Sequence, residues 1–411
     1  MFLVHEKIVD LKVTHVLVIA PLYPGESVSR GQDGIATYFE NMVCGYRDLG
    51  VKVDVMTSAL PMRTIEIGRF GEVVHGVGTQ RDKARSLSPW LRVLQLEASL
   101  ALKSSRVRER QVFDLVEVPD WMTPAIAPAI AQIGGRSFMK LHGPADYIRR
   151  LNGHEPTGLQ RISDFRTRWW ARRADVLHAG AQILVDFAQQ SWGLDRPIPV
   201  TPDPWLSENT YPNSAVTIPF NADTIELVSI GRLEWRKGQH VLMESLNRLP
   251  IDAWDLPWRV TLIGHDTSTG PHGTSYKAYL QELASSELAA RIRWIDPVPI
   301  GLLSEVHRHA DVTVVCSLDG NYGYTTIQAL ADGACLVSTH EPGFHESPYI
   351  RSGENAMLVA PGQADELTQA LTHLLLNPEA RRKLRENAQE VCKLVAPRLV
   401  ATRVLNDANV S

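Results

Sequence analysis

The chain lacks most of the features that mark specialised protein classes. Its 411 residues hold four cysteines, Cys44, Cys316, Cys335 and Cys392, widely spaced and with no C-x-x-C among them. That argues against a disulfide framework and a cysteine-bound zinc site, and suits a reducing cytosol. No run of about 20 apolar residues exists, so no helix is expected to span a bilayer. Met1 to Lys12 is amphipathic and charged rather than a signal peptide. A peripheral membrane contact stays open, but no basic amphipathic helix signals one, which favours a soluble acceptor for any transfer reaction. The formal net charge is −4 with dispersed cations, which gives no nucleic-acid surface. There is no Asp-x-Asp motif of the kind that holds a divalent metal, and no paired-carboxylate arrangement of the glycosidase type is visible.

What is present is an ordinary globular composition, 44% hydrophobic and 21% charged. At roughly 100–200 residues per domain the length predicts two or three domains. The first half alternates strand-like and helix-like segments. Val13 to Ile19, Val51 to Met56, Leu115 to Val118, Ser137 to Leu141 and Val176 to Ala179 read as strands, and Gly34 to Leu49 as a helix. The second half repeats the pattern. Strands are expected at Ile225 to Ile230, Arg259 to Ile263, Ile292 to Ile295, Val312 to Val315, Cys335 to Ser338 and Ala356 to Val359. Helices are expected at Tyr276 to Ala289, Tyr324 to Ala331 and Ala364 to Leu376. Six prolines between Pro197 and Pro219 break both periods and mark a link. The pattern predicts an α/β protein of two doubly wound, Rossmann-like domains facing across a cleft. The expected division is 1–205, 206–390, and a C-terminal segment 391–411 that possibly crosses back to the first domain. Clefts at the carboxyl ends of such strands are where ligands bind.

Two stretches carry the chemistry. In Gly231-Arg232-Leu233-Glu234-Trp235-Arg236-Lys237-Gly238, a strand delivers cations to the mouth of a helix, where an anionic leaving group would be held. A solvated surface turn would look the same in isolation. In Ser317 to Gly333, a strand ends at Cys316, a glycine-bearing loop follows, and a helix begins near Tyr324. Free amides at that helix start can bind anionic oxygens, unless the segment is simply a capped βα turn.

The second stretch resembles the signature of glycosyltransferase family 4, P-S-x-x-E-N-F-P-Y-T-x-x-E-A-M-A-x-G, at Ser317, Asn321, Tyr324, Thr325, Ala329, Ala331 and Gly333. The first resembles the family's G-R-L-x-x-x-K-G. Asp33-Gly34-Ile35-Ala36-Thr37-Tyr38 is similar to its N-terminal G-G-I-A-x-Y loop, and Leu141-His142-Gly143-Pro144 to its L-H-G-P element. Gly343-Phe344-His345-Glu346 resembles its G-G-x-x-E turn, Gly353 to Pro361 its G-x-x-G-L-L-V-x-P, and Gly264-His265-Asp266-Thr267 a loop of one branch. The matches run in family order over nearly the whole chain. They imply the GT-B fold and a retaining, metal-independent transfer of a sugar from a nucleotide diphosphate, with UDP the favoured carrier, to a hydroxyl or amine acceptor. The resemblance implies no cofactor beyond that co-substrate.

Residue by residue, the resemblance gives Arg232, Lys237 and His142 catalytic roles. It gives donor contacts to Gly34, Gly231, Asp266, Asp319, Asn321, Tyr322, Gly323, Tyr324, Thr325, Gln328 and Glu346. The sequence departs from the family where its two signature glutamates are expected, at Gly320 and Gln328, and at Asp33 in place of a glycine. Gln328 can still bond hydroxyls, though without the charge-assisted component. Asp319 stands one position from the lost carboxylate. Glu117, Asp120 and Trp121 lie at another strand end and are candidate acceptor contacts, with a plain exposed loop as the alternative. Trp169-Trp170 followed by Arg172-Arg173 reads as a packed helix face with solvated cations. A rival reading, prompted by Gly320, Gln328 and Asp33, is a GT-B pseudoenzyme that binds without transfer. A phosphorylase on the same fold would need a lysine-bound pyridoxal cofactor, and no lysine here is marked for one.

Overall fold

The computed structural model describes residues 13–23, 34–62, 64–78, 98–100, 102–103, 107, 111–120, 134–206, 218, 220–319, 323–340 and 349–410. Strands that are buried on both faces are largely apolar, and those of this chain follow suit, with His15, Glu117 and Lys140 among the buried polar exceptions. The run His15–Ile19 (β1) is buried at every position, as is Leu115–Pro119 (β5). They belong to a seven-stranded sheet with β2 (Lys52–Pro61), β3 (Ile65–Ile67), β4 (Val73–Gly78), β6 (Arg136–Leu141) and β7 (Val176–Ala179), ordered β3-β4-β2-β1-β5-β6-β7. All its pairs are parallel except β3 with β4. A second sheet is parallel throughout: β8 (Ile225–Ile230), β9 (Trp258–Ile263), β10 (Ile292–Ile295), β11 (Val312–Val315), β12 (Leu336–Thr339) and β13 (Met357–Val359), ordered β10-β9-β8-β11-β12-β13. The two doubly wound sheets expected from the alternating pattern are therefore present.

Six helices matter below: α1 (Gly34–Asp48), α2 (Ala145–Leu151), α3 (Gly158–Ala171), α4 (Gln239–Asn247), α5 (Tyr324–Ala331) and α6 (Pro397–Val410). The chain crosses between the sheets near Trp205. Its backbone N–H donates to the Val395 carbonyl at 2.8 Å, and its indole N–H to Asp332 Oδ1 at 2.9 Å. Burial pushes the Asp332 carboxyl up to about 7.

Two expectations needed adjustment. The helix expected over 276–289 divides into Tyr276–Leu283 and Ser286–Ala289, because Ser285 caps a new turn by accepting from the Leu288 amide. Strand β3 gave no sequence signal: it is three residues long at a sheet edge, with Ile65 and Ile67 exposed.

Helix α6 packs on α1 and closes the first sheet's core, where Val400, Ala401, Val404 and Leu405 join Tyr38, Phe39, Met42 and Tyr46. The approach is close enough to require a glycine. A Cβ on Gly45 would lie 2.2 Å from the Pro397 carbonyl oxygen and 2.9 Å from Ala401 Cβ. Gly45→Ala would gain about 1 kcal/mol in helix propensity. Overpacking against backbone costs about 1–3 kcal/mol or more, so the clash dominates. We expect Gly45→Ala to lower the urea midpoint; an unchanged or raised midpoint would show that α6 does not sit against α1 in solution.

Candidate active site

The loop after β8 is held rigidly. Gly231 takes φ 139°, a region that favours glycine, and its N–H donates to the Ile263 carbonyl at 2.9 Å. Glu234 is buried and organises the cations around it. Its carboxylate pairs with Arg232 at 3.1 Å and Arg236 at 3.2 Å, and accepts from Asn152 Nδ2 at 2.7 Å. Burial raises the Glu234 pKa, but Arg236 and Arg232 outweigh it and hold the carboxyl below its usual range. Asn152 is the C-cap of α2, so this contact joins the first half of the chain to the second.

Lys237 closes a one-turn 3₁₀ helix over Trp235–Lys237, and Gly238 follows in the left-handed region at φ 68°. A Cβ on Gly238 would lie 1.9 Å from the Cys316 carbonyl oxygen, so only glycine fits there. This close approach sets Lys237 beside the start of α5: a Cβ on Gly323 would lie 3.8 Å from Lys237 Nζ. Gly323 is the N-cap of α5 and has no side chain to satisfy the first amides. Burial and the neighbouring Arg236 guanidinium lower the Lys237 pKa to about 8. A second helix start faces the same place. A Cβ on Gly34, at the head of α1, would lie 3.4 Å from Tyr324 Cβ. The Tyr324 hydroxyl and Asn41 Nδ2 each donate to the Pro204 carbonyl at 3.0 Å, and Asn41 also bonds the tyrosine hydroxyl. Two positive helix termini and the Lys237 ammonium thus converge between the sheets, with Arg232 on the same loop, 57% exposed and paired to Glu234.

His142 follows β6, and Asp120 fixes its backbone: Oδ2 accepts from the His142 amide at 2.7 Å and the Gly143 amide at 3.0 Å. The ring packs edge-on against Tyr38, with centroids 4.2 Å apart, and Nδ1 lies 3.5 Å from Asp203 Oδ1. Nε2 is buried with no hydrogen-bond partner. Beneath it lies a charged layer that sequence reasoning missed. Lys140 Nζ donates to Asp203 at 2.7 Å and to the Pro202 carbonyl at 2.9 Å, and sits 4.8 Å from the Tyr38 ring centroid. Burial pushes the Asp203 pKa up, but Lys140 and His142 outweigh it and hold the carboxyl well below its usual range. The available signal was a lysine inside an apolar strand, Phe138-Met139-Lys140-Leu141.

Several expected contacts lie elsewhere. Glu117 is buried at 1% exposure, with its two oxygens accepting from Tyr38 at 2.7 Å and Tyr46 at 2.8 Å. It anchors α1 on the sheet and is no acceptor contact. Asp120 is likewise buried and holds the His142 loop instead of meeting solvent. Burial raises the pKa of both carboxyls. Asp266 accepts from Thr267 N, Ser275 Oγ and Lys277 N, so its carboxylate shapes its own loop. Asp319 is buried, with Oδ2 4.0 Å from Arg236 Nη1, and serves as that cation's counter-ion. Gln328 is buried on α5, and its Nε2 has no hydrogen-bond partner among the described residues. Thr325 is half-buried in the first turn of α5. Trp121, Asn321, Tyr322 and Glu346 lie outside the described residues.

Residues 33–203 match the family described as Glycosyl transferase 4-like domain, and residues 213–391 the family Glycosyl transferases group 1. The chain belongs to the GT-B glycosyltransferases of the family 4 type. The transferase is 24% identical over 374 residues to a D-inositol 3-phosphate glycosyltransferase of Corynebacterium urealyticum, covering 87% of this chain and 86% of that one. It is 24% identical over 305 residues to a glycogen synthase of Mycobacterium tuberculosis, covering 72% and 68%. Among solved structures, sucrose-phosphate synthase from Thermosynechococcus elongatus superposes with a TM-score of 0.69 at 16% identity, covering 95% and 97%. Anabaena Alr3699/HepE, in complex with UDP and glucose, gives 0.65 at 17% identity, covering 96% and 98%.

Removing the Asp120 carboxylate would leave the His142 and Gly143 amides without their acceptor. At about 1.5–3 kcal/mol for a hydrogen bond to a charged group, and allowing for the burial penalty lost with it, Asp120→Ala should destabilise the transferase by about 2–3 kcal/mol in urea unfolding. Unaltered stability would mean that Asp120 does not hold the loop.

Proposed function

We propose that the transferase is a retaining, metal-independent enzyme that moves a sugar from a UDP-linked donor to a hydroxyl or amine acceptor. The observation that supports this most is the Lys237 ammonium lying against the N-cap of α5, with the head of α1 opposite. Breaking a nucleotide–sugar bond leaves negative charge on a diphosphate oxygen. Lys237, Arg232 and the first-turn amides of α5 are fixed donors aimed at where that charge develops, and they need no reorganisation as it does. In this reading the fixed cations take the place of a divalent metal. Retention follows from attack on the face from which the diphosphate departs, with a diphosphate oxygen accepting the acceptor's proton.

His142 is assigned to the donor sugar, its unpartnered Nε2 supplying one hydrogen bond or partial stabilisation of positive charge at the anomeric carbon. The assignment to UDP draws on the nucleotide bound in the Anabaena structure. The contact of Asn152 with Glu234 favours a closed arrangement of the two halves, which excludes water from the donor.

Lys237→Ala and Arg232→Ala should each lower turnover of a UDP-sugar by more than ~100-fold, while EDTA leaves the wild-type rate unchanged. Full activity in either variant would remove that residue from the mechanism, and loss of activity in EDTA would remove the metal-independent reading. The proton on Lys237 adds a pH signature. The folded pKa near 8 lies below the ordinary lysine value, so the ammonium form predominates below about pH 8 and is lost above it. Calorimetry should therefore show UDP affinity falling above about pH 8, by at most about tenfold per pH unit. Lys237→Met should flatten that profile; an unchanged slope would place the titrating group elsewhere.

A further inference from the structure

Helix α3 is turned inside out. It begins at Thr157 with a capping box closed by Gln160 and buries Asp164, Thr167, Trp170 and Ala171. Four of its five large apolar side chains point the other way: Leu159, Ile162, Phe165 and Trp169 are 47%, 48%, 59% and 40% exposed, while Trp170 faces inward. At 3.6 residues per turn these four share one face. The inward side is partly polar, with Asp164 paired to Arg149 and the Thr167 hydroxyl donating to the Ser163 carbonyl at 3.1 Å. A surface helix that served only the core would present the opposite pattern.

The apolar stripe is flanked by cations. Arg161 is exposed along one side, Arg173 is exposed just past the helix with its guanidinium 4.0 Å from the Trp169 ring centroid, and Arg168 is part-buried with its Nε out of water. Arg172, at the C-cap, is exposed and donates to the Trp192 carbonyl. The one acid within α3, Asp164, faces inward; Glu155 is exposed in the turn before the helix. This revises the sequence reading of Trp169 to Arg173: Trp170 is buried, whereas Trp169 keeps 40% of its surface exposed beside it. It also supplies the basic amphipathic helix that the sequence did not signal.

We propose that α3 seats the first half of the transferase on an anionic phospholipid surface. Leu159, Ile162, Phe165 and Trp169 enter the boundary between headgroups and acyl chains, and the flanking arginines meet lipid phosphates. Charge decides for a membrane over a second copy of the chain. A two-fold pairing of this face would set the exposed Arg161 and Arg173 of one copy close to those of the other, whereas anionic headgroups neutralise them. The face is tied to the catalytic cleft through α2, which runs from just after His142 to Asn152. A membrane-seated enzyme removes the ground for expecting a soluble acceptor.

The test is co-sedimentation of the full chain with vesicles of phosphatidylcholine alone or mixed with phosphatidylglycerol. The chain should pellet with the mixed vesicles at low salt, stay in solution with phosphatidylcholine alone, and be released by added salt. Arg161→Gln should weaken the partition by about fivefold, and Phe165→Ser with Trp169→Ser by about tenfold or more. Because Arg161 and Phe165 are exposed, Arg161→Gln and Phe165→Ser, each alone, should weaken binding while keeping the wild-type melting temperature, which separates lost binding from lost folding. Failure to pellet with anionic vesicles, or undiminished pelleting of the double variant, would overturn the proposal. A dimer in light scattering that Phe165→Ser abolishes would also overturn it, assigning the face to self-association.

Discussion

The contact that sets the geometry of the cleft is the meeting of two helix starts, α1 at Gly34 and α5 at Tyr324. The α5 end carries no side-chain cap, because Gly323 holds the N-cap position, while the residue before Gly34 lies outside the described residues. The first amides of α5 are therefore open to a ligand, and two helix starts brought together attract negative charge strongly. The Asn41, Tyr324 and Pro204 hydrogen bonds hold the ends together, and Glu117 anchors α1 beneath them through Tyr38 and Tyr46. Lys237 reaches the same spot because Gly238 lets the backbone pass against Cys316.

The buried charges follow a consistent logic. A charge removed from water is tolerable only with a partner, and three of those around the site have one: Lys140 with Asp203, Arg236 with Glu234 and Asp319, Asp120 with two backbone amides. These groups do not meet substrate in this account. They hold in place Arg232, Lys237 and His142, the groups proposed to meet substrate. The four cysteines are free, and burial raises the thiols of Cys44, Cys316 and Cys335 to about 12, which leaves them inert.

Much of the fold was legible in the sequence because buried parallel strands are long apolar runs. Ile225–Ile230, Val176–Ala179 and Val312–Val315 stand where the pattern put them. The cations of the 231–238 loop were legible for a related reason, since glycine and charge at a strand end have few structural uses. The roles of the carboxylates were not. Glu117 sits within β5, and Asp120, Asp266 and Asp319 follow strand ends, where an exposed ligand contact and a buried anchor look alike in one dimension. Only their partners distinguish them: two tyrosines for Glu117, two amides for Asp120, loop donors for Asp266, and Arg236 for Asp319. The outward face of α3 was hidden for the opposite reason. Helical periodicity reveals an apolar stripe but not whether it points at the core.

The most direct measurement is a crystal structure of the transferase soaked with UDP. The account predicts the pyrophosphate lodged between Lys237 Nζ and the first-turn amides of α5, with Arg232 and the head of α1 at its edge. A nucleotide bound elsewhere, with the lysine ammonium turned away from its phosphates, would contradict it.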